Sequence, residues 1–218
     1  MTLPLDAYPA YARSERIADG SLHLLGVVLA VAGAVALWVW GVPRTSGADT
    51  LALIVYGLAL IATFAASACY HMTPWTRYRA ILRRLDHAAI YLKIAGTFTP
   101  LAVLVGSGLT LAVLAVVWML ALWGIVRKVF FWQVPGRFGP ALYLGMGWLG
   151  VLLVPGIATL LPATALGLLA TGGLLYSAGV IFFWWDGLKF SNAIWHGFVL
   201  AASCCFFAGI WIAVATLT

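Results

Sequence analysis

Charge is what this sequence has least of. Asp, Glu, Lys and Arg make up 8% of its 218 residues, where soluble domains carry about 25%. With 64% hydrophobic residues and a mean hydropathy of +1.06, no water-facing fold of this length hides so much apolar side chain. The class this leaves is a polytopic membrane protein. Cysteine is scarce as well. Cys69, Cys204 and Cys205 lie in apolar runs without any CxxC pair, which excludes a disulfide framework; they read as small buried hydrophobes. The N-terminal "MTLPLDAYPAYARSERIADG" lacks the charged-then-apolar order of a cleaved signal peptide, so the first apolar run is expected to be retained. The basic residues give a net charge of +6 but are too few and scattered to track a phosphate backbone. That argues for no nucleic acid partner.

What is present is hydrocarbon in lengths that fit a bilayer. A crossing helix needs about 20 apolar residues. Such runs occur at 22–42, 51–71, 86–105, 109–126, 138–161, 164–185 and 192–216, separated by Pro43-Arg44, "HMTPWTRYR", "GSG", Arg127-Lys128, Pro162 and "DGLK". Pro155-Gly156 threatens an early break in the fifth. The expected fold is all-α: a polar segment 1–21, then a single seven-transmembrane-helix bundle over 22–218. Basic residues set its orientation. Arg13, Arg16, Arg77, Arg79, Arg83, Arg84, Arg127, Lys128, Arg137 and Lys189 fall in one set of connections, and only Arg44 in the other. The positive-inside rule then puts the N-terminus in the cytoplasm and the C-terminus outside. Trp75, Trp132, Trp184 and Trp185 fall near span ends, where an interfacial belt belongs.

Few polar residues enter the spans, and several fall at one depth. His71 ends the second span, Asp86 opens the third, His196 lies about one turn into the seventh, and His23 starts the first. All are expected at the cytoplasmic end. Ionisable groups in a span are costly and mark a site or a path by default. Ser67 and His71 are four apart and share a helix face, as do Asn192 and His196. Two histidines and a carboxylate from three helices suit a zinc ion with an open position for water. Asp86 would bind the ion directly or hold the water as a general base. Plainer roles fit too: interfacial histidines, and Asp86 as an N-cap. His87 lies about 100° around the helix from Asp86. Lys93 is two turns further in, free to snorkel or to pair with Asp86 or another polar group.

Four stretches, "ERIADGSLHLLG", "FAASACYH", "LDHAAIYLKIAGTFTP" and "SNAIWHGFVLAAS", together resemble the haemolysin III-related family, the bacterial branch of the progestin and adiponectin receptor superfamily. The resemblance implies seven helices, a bacterial cytoplasmic (inner) membrane location and a zinc site on the cytoplasmic side. The second-helix S-x-x-x-H of that family matches Ser67 and His71, and its third-helix aspartate matches Asp86. Its seventh-helix H-x-x-x-H is matched only at His196, because Asn192 stands at the first position. An amide oxygen suits zinc less well than imidazole, so this position weakens the implied site. His23 is a candidate substitute ligand.

Three functions follow from the resemblance, read with these residues, as expectations. The first is a zinc-dependent hydrolase of a lipid amide, ceramide-like, in which Asp86 shuttles the proton and Ser67 helps hold the site. The second is a non-enzymatic regulator that binds a membrane lipid or a cation. The third is a pore-forming haemolysin, the traditional label of the family. It fits the chain least, because a lytic toxin must leave the cell in soluble form.

Overall fold

The computed structural model describes residues 11–74, 76–131, 138–185 and 187–217, and among them every regular element is a helix. Seven stretches are long and apolar enough to cross a membrane. The spans are α1 (Arg13–Gly41), α2 (Gly47–Met72), α3 (Thr76–Val105), α4 (Gly108–Phe130), a composite fifth, α7 (Ala163–Phe183) and α8 (Ser191–Leu217). The fifth consists of α5 (Phe138–Trp148), a 3₁₀ turn over Leu149–Leu153, and α6 (Val154–Ile157). Pro155 explains the break, for its ring cannot continue an α-helical hydrogen-bond ladder and it is tolerated only in the first turn of a new helix. Trp184 and Trp185 follow the end of α7, half exposed. Trp75, Trp132 and Arg137 lie outside the described residues.

Two boundaries differ from expectation. The first helix begins at Arg13 rather than near residue 22, so "RSERIADGS" is helical. Glu15 secures its start by accepting a hydrogen bond from the Ala12 N–H at 3.0 Å. The third helix begins at Thr76, so Asp86 stands ten residues into it and is not an N-cap. Polar "TRYRAILRRL" continues α3 beyond the apolar stretch. The α3–α4 turn follows the "GSG" signal: Gly106 takes a left-handed φ of 64° and Ser107 caps α4 by accepting from the Thr110 N–H.

Helix α3 is the centre of the bundle. Of its most apolar stretch 61% is buried, against 44% or less for every other span. It touches α2, α4, α5, α6 and α8, while α1 packs between α2 and α8. Small residues allow the approach. At Gly96 a Cβ would come within 2.5 Å of the Ala59 Cβ on α2, and at Gly124 it would strike the Tyr91 ring. The remaining large apolar side chains, such as Leu24, Val39, Met119 and Leu174, face outward, as a lipid-bathed surface requires.

The cysteines correct the reading of them as buried. Cys69 and Cys204 are exposed and Cys205 is half-buried; all three are free thiols. In a membrane protein the solvent is as apolar as the core, so an apolar run does not tell which face turns inward.

Candidate metal centre

At one end of the bundle α1, α2 and α8 bring four side chains together. Asp19, His23, His71 and His196 each offer one donor atom, and these atoms all lie within 4.8 Å of one another. The Asp19 carboxylate is the hub. Its Oδ1 accepts a hydrogen bond from His196 Nδ1 at 2.6 Å, and its Oδ2 lies 3.5 Å from His23 Nε2 and 3.6 Å from His71 Nδ1. The three imidazoles touch, with ring centroids 4.3 Å apart for His23–His196, 4.6 Å for His71–His196 and 4.9 Å for His23–His71. Helical spacing explains the α1 pair, since Asp19 and His23 are one turn apart on one face.

The donor set fits a small divalent ion. Tetrahedral zinc ligands about 2.0–2.1 Å from the ion stand roughly 3.4 Å from one another, close to the Asp19–His23 and Asp19–His71 separations. His23 Nε2 is buried and makes no hydrogen bond, although it points at Asp19. A buried polar atom left without a partner is costly, and an ion among these donors would satisfy it.

Asp86 stands outside this group, on the far side of His71. Its Oδ2 is 3.8 Å from His71 Nε2, while the other nitrogen of that ring faces Asp19. That is where an outer-shell carboxylate orients a ligating histidine. The same oxygen lies 3.8 Å from His87 Nδ1, which bonds the Arg83 carbonyl at 2.8 Å. Asp86, His87 and Ser67 all line a cavity of about 830 Å³ that leads to the cluster. Asn192 lines it too, and its amide donates to the Tyr11 hydroxyl at 3.0 Å. Burial pushes the Tyr11 phenol upward, reinforced by Asp19, so it stays a neutral acceptor.

Comparison with known proteins gives the family. A family model described as "Haemolysin-III related" matches residues 12–207. The chain belongs to the haemolysin III-related family. It is 38% identical over 196 residues to a "Hemolysin-3 homolog" of Bacillus subtilis, covering 88% of this chain and 91% of that protein. It is 34% identical over 194 residues to "Hemolysin-3" of Bacillus cereus, covering 88% and 89%. A "Monocyte to macrophage differentiation factor" of Homo sapiens is 31% identical over 166 residues, covering 72% and 68%.

In this haemolysin III-related chain the structure brings together His71 and His196, places Asp86 and Ser67 beside them, and adds Asp19 and His23. Asp19 escapes the sequence reading because a span that begins at residue 22 leaves it in a polar tail, whereas α1 begins at Arg13. Its signal was nevertheless in the sequence: Asp19-x-x-x-His23 has the four-residue spacing of Ser67-x-x-x-His71. Lys93 pairs with Ser203 on α8 rather than with Asp86.

Proposed function

We propose that this multi-pass membrane protein is a metal-dependent hydrolase of a lipid amide, with zinc held by Asp19, His23, His71 and His196. The observation that carries the reading is the joining of an Asp-His₃ cluster to a cavity of about 830 Å³, large enough for the polar part of a lipid. The positive-inside count supports a cytoplasmic face for that cavity, and the reading takes the membrane to be a bacterial inner membrane. A zinc ion there supplies Lewis acidity, polarising an amide carbonyl and acidifying water.

The chain's own residues then divide the work. His71 is held in place by Asp86 at its Nε2. On this reading Asp86, which orients His71 and also lines the cavity, would take a proton from a water in that cavity and return it to the leaving amide nitrogen. Ser67, one turn before His71 on α2, presents a hydroxyl to the polar head of the substrate. Apolar Phe64, Ile90 and Val199 line the cavity's inner end and suit the start of an acyl chain.

One observation favours a second reading. Four protein donors fill a tetrahedral shell, and closed shells are structural rather than catalytic. On that reading the protein is a lipid- or cation-responsive regulator.

Elemental analysis of detergent-purified protein, together with hydrolysis of a short-chain fluorescent ceramide, tests the proposal. Near-stoichiometric zinc in the wild type, lost in His71→Ala, with zinc-dependent release of fatty acid, supports the hydrolase. Zinc without hydrolysis supports the regulator. No zinc in the wild type, but zinc gained in Asn192→His, means that a built site has been disarmed and sinks the hydrolase.

A further inference from the structure

The wall of the large cavity is basic at its outer end. Arg13 and Arg16 of α1 and Arg79 and Arg83 of α3 all line it. On α3 the lining residues Arg79, Arg83, Asp86 and Ile90 are spaced four, three and four apart, so they form one stripe on one face. The stripe is ordered from the mouth inward: two guanidiniums, then the carboxylate beside His71, then an apolar side chain. On α1 the order is the same, with Arg13 and Arg16 outermost and the metal donors Asp19 and His23 inside. The positive-inside rule asks for basic residues in cytoplasmic connections. It does not ask for an arginine only 5% exposed in a cavity wall, which is how Arg79 stands.

Arg79 is built into place beside the metal cluster. Its Nη1 donates to the Tyr70 carbonyl at 3.4 Å, and its guanidinium lies 4.6 Å from the centre of the Tyr70 ring. That ring meets His71 edge-on, with centroids 4.6 Å apart. One aromatic ring therefore separates this guanidinium from a donor of the cluster. The acidic residues of the cavity are turned to other partners. Glu15 accepts from the backbone N–H groups of Ala12 and Phe190 at 3.0 and 2.8 Å, and Asp19 and Asp86 face histidines. An entering molecule thus meets cations at the mouth, the metal donors next and hydrocarbon at the inner end.

We propose that the lipid amide taken by this cavity carries a phosphate on its head, gripped by Arg79 and Arg83 with Arg13 and Arg16 at the rim. The inference rests on the lipid-amide reading of the site for the amide, and on the arginines for the phosphate. Guanidinium is the side-chain group whose planar fork matches phosphate oxygens. Spacing sets where the phosphate lies. Along α3, Arg83 stands about 4.5 Å and Arg79 about 10 Å outward of Asp86, and side chains lean toward a helix N-terminus, which is outward here. An extended chain advances about 3.5 Å for every three bonds, so the anion belongs about four to nine bonds from the amide nitrogen. A phosphate ester two carbons from that nitrogen meets this length. A carboxylate on the carbon next to the nitrogen falls short of it.

The test is a competition read by native mass spectrometry. The full chain in neutral detergent is offered equal amounts of a short-chain ceramide and of the same ceramide phosphorylated on its primary hydroxyl. The expected result is a preference of about 10–100-fold for the phosphorylated lipid, the worth of a charge-assisted hydrogen bond. Arg83→Gln should lose most of it, and so should Arg79→Lys, because an ammonium lacks the fork. Arg44→Gln, which removes a charge at the opposite end of the bundle, should keep it. Equal retention of both lipids by the wild type needs no variant and overturns the proposal, as does an equal loss in Arg44→Gln. Excess inorganic phosphate separates the two sources of the anion: if it displaces the phosphorylated lipid to the level of the neutral one, the site belongs to free phosphate and the lipid assignment fails. Release of fatty acid is read separately. Preference without hydrolysis sinks the hydrolase and leaves the phosphate assignment standing, and hydrolysis without preference does the reverse.

Discussion

The geometry ranks two aspartates, and the ranking is open to measurement. Asp19 puts its oxygens 2.6, 3.5 and 3.6 Å from nitrogens of His196, His23 and His71. Asp86 approaches the cluster only at His71 Nε2, at 3.8 Å, on the outer side of that ring. Asp86→Asn should therefore act as the loss of an outer-shell partner, weakening zinc binding about 10–100-fold. That corresponds to about 1.4–2.7 kcal/mol. Asp19→Asn removes a direct oxygen donor and should weaken binding by more than 100-fold. Both substitutions keep side-chain size, so the fold is expected to survive, which size-exclusion chromatography checks. Competition with a fluorescent zinc chelator gives the two dissociation constants in detergent. If Asp86→Asn costs as much as Asp19→Asn, or Asp19→Asn keeps zinc at wild-type affinity, then the carboxylate at the centre of the histidines is not a ligand.

Two further expectations concern the bundle. Gly96→Ala would drive a Cβ to within 2.5 Å of the Ala59 Cβ. Overpacking of that kind costs about 1–3 kcal/mol, so its Tm in detergent should fall, while Gly145→Ala, with nothing within 4 Å of the added carbon, should leave the Tm unchanged. The basic-residue count places the C-terminus outside the cytoplasm; a reporter enzyme active only outside should work when fused after Thr218, and activity of a cytoplasm-only reporter there would reverse the orientation.

The fold was legible because its strongest signal is the simplest one. Seven apolar runs became seven spans, and Gly106-Ser107 ended one helix and began the next as their turn and cap chemistry requires. Polar extensions of helices were illegible to a search for hydrocarbon. "RSERIADGS" and "TRYRAILRRL" form helix as readily as the apolar runs they continue, but nothing in hydropathy marks where such a helix starts. That one blind spot hid Asp19 from the candidate site and mistook Asp86 for the opening of its span. The cysteines were illegible for the opposite reason. Hydropathy separates water from oil, and an apolar run around Cys69 or Cys204 does not say which side of the helix faces outward.

How Asp19 behaves decides between catalysis and regulation. A hydrolase needs a coordination position for water or carbonyl oxygen, and three histidines alone would leave one. With Asp19 among them the shell is full, so catalysis requires either a fifth position or displacement of the carboxylate. Asp19 has somewhere to go, because its hydrogen bond to His196 Nδ1 makes it an outer-shell partner of that ring as soon as His196 binds through its other nitrogen. Cobalt substituted for zinc reports this through its visible absorption. The expectation for a hydrolase is a four-coordinate spectrum that becomes five-coordinate when a short-chain hydroxamate is added. A spectrum that ignores saturating hydroxamate would mean that Asp19 holds its place, and the closed centre would then serve the structure of a regulator.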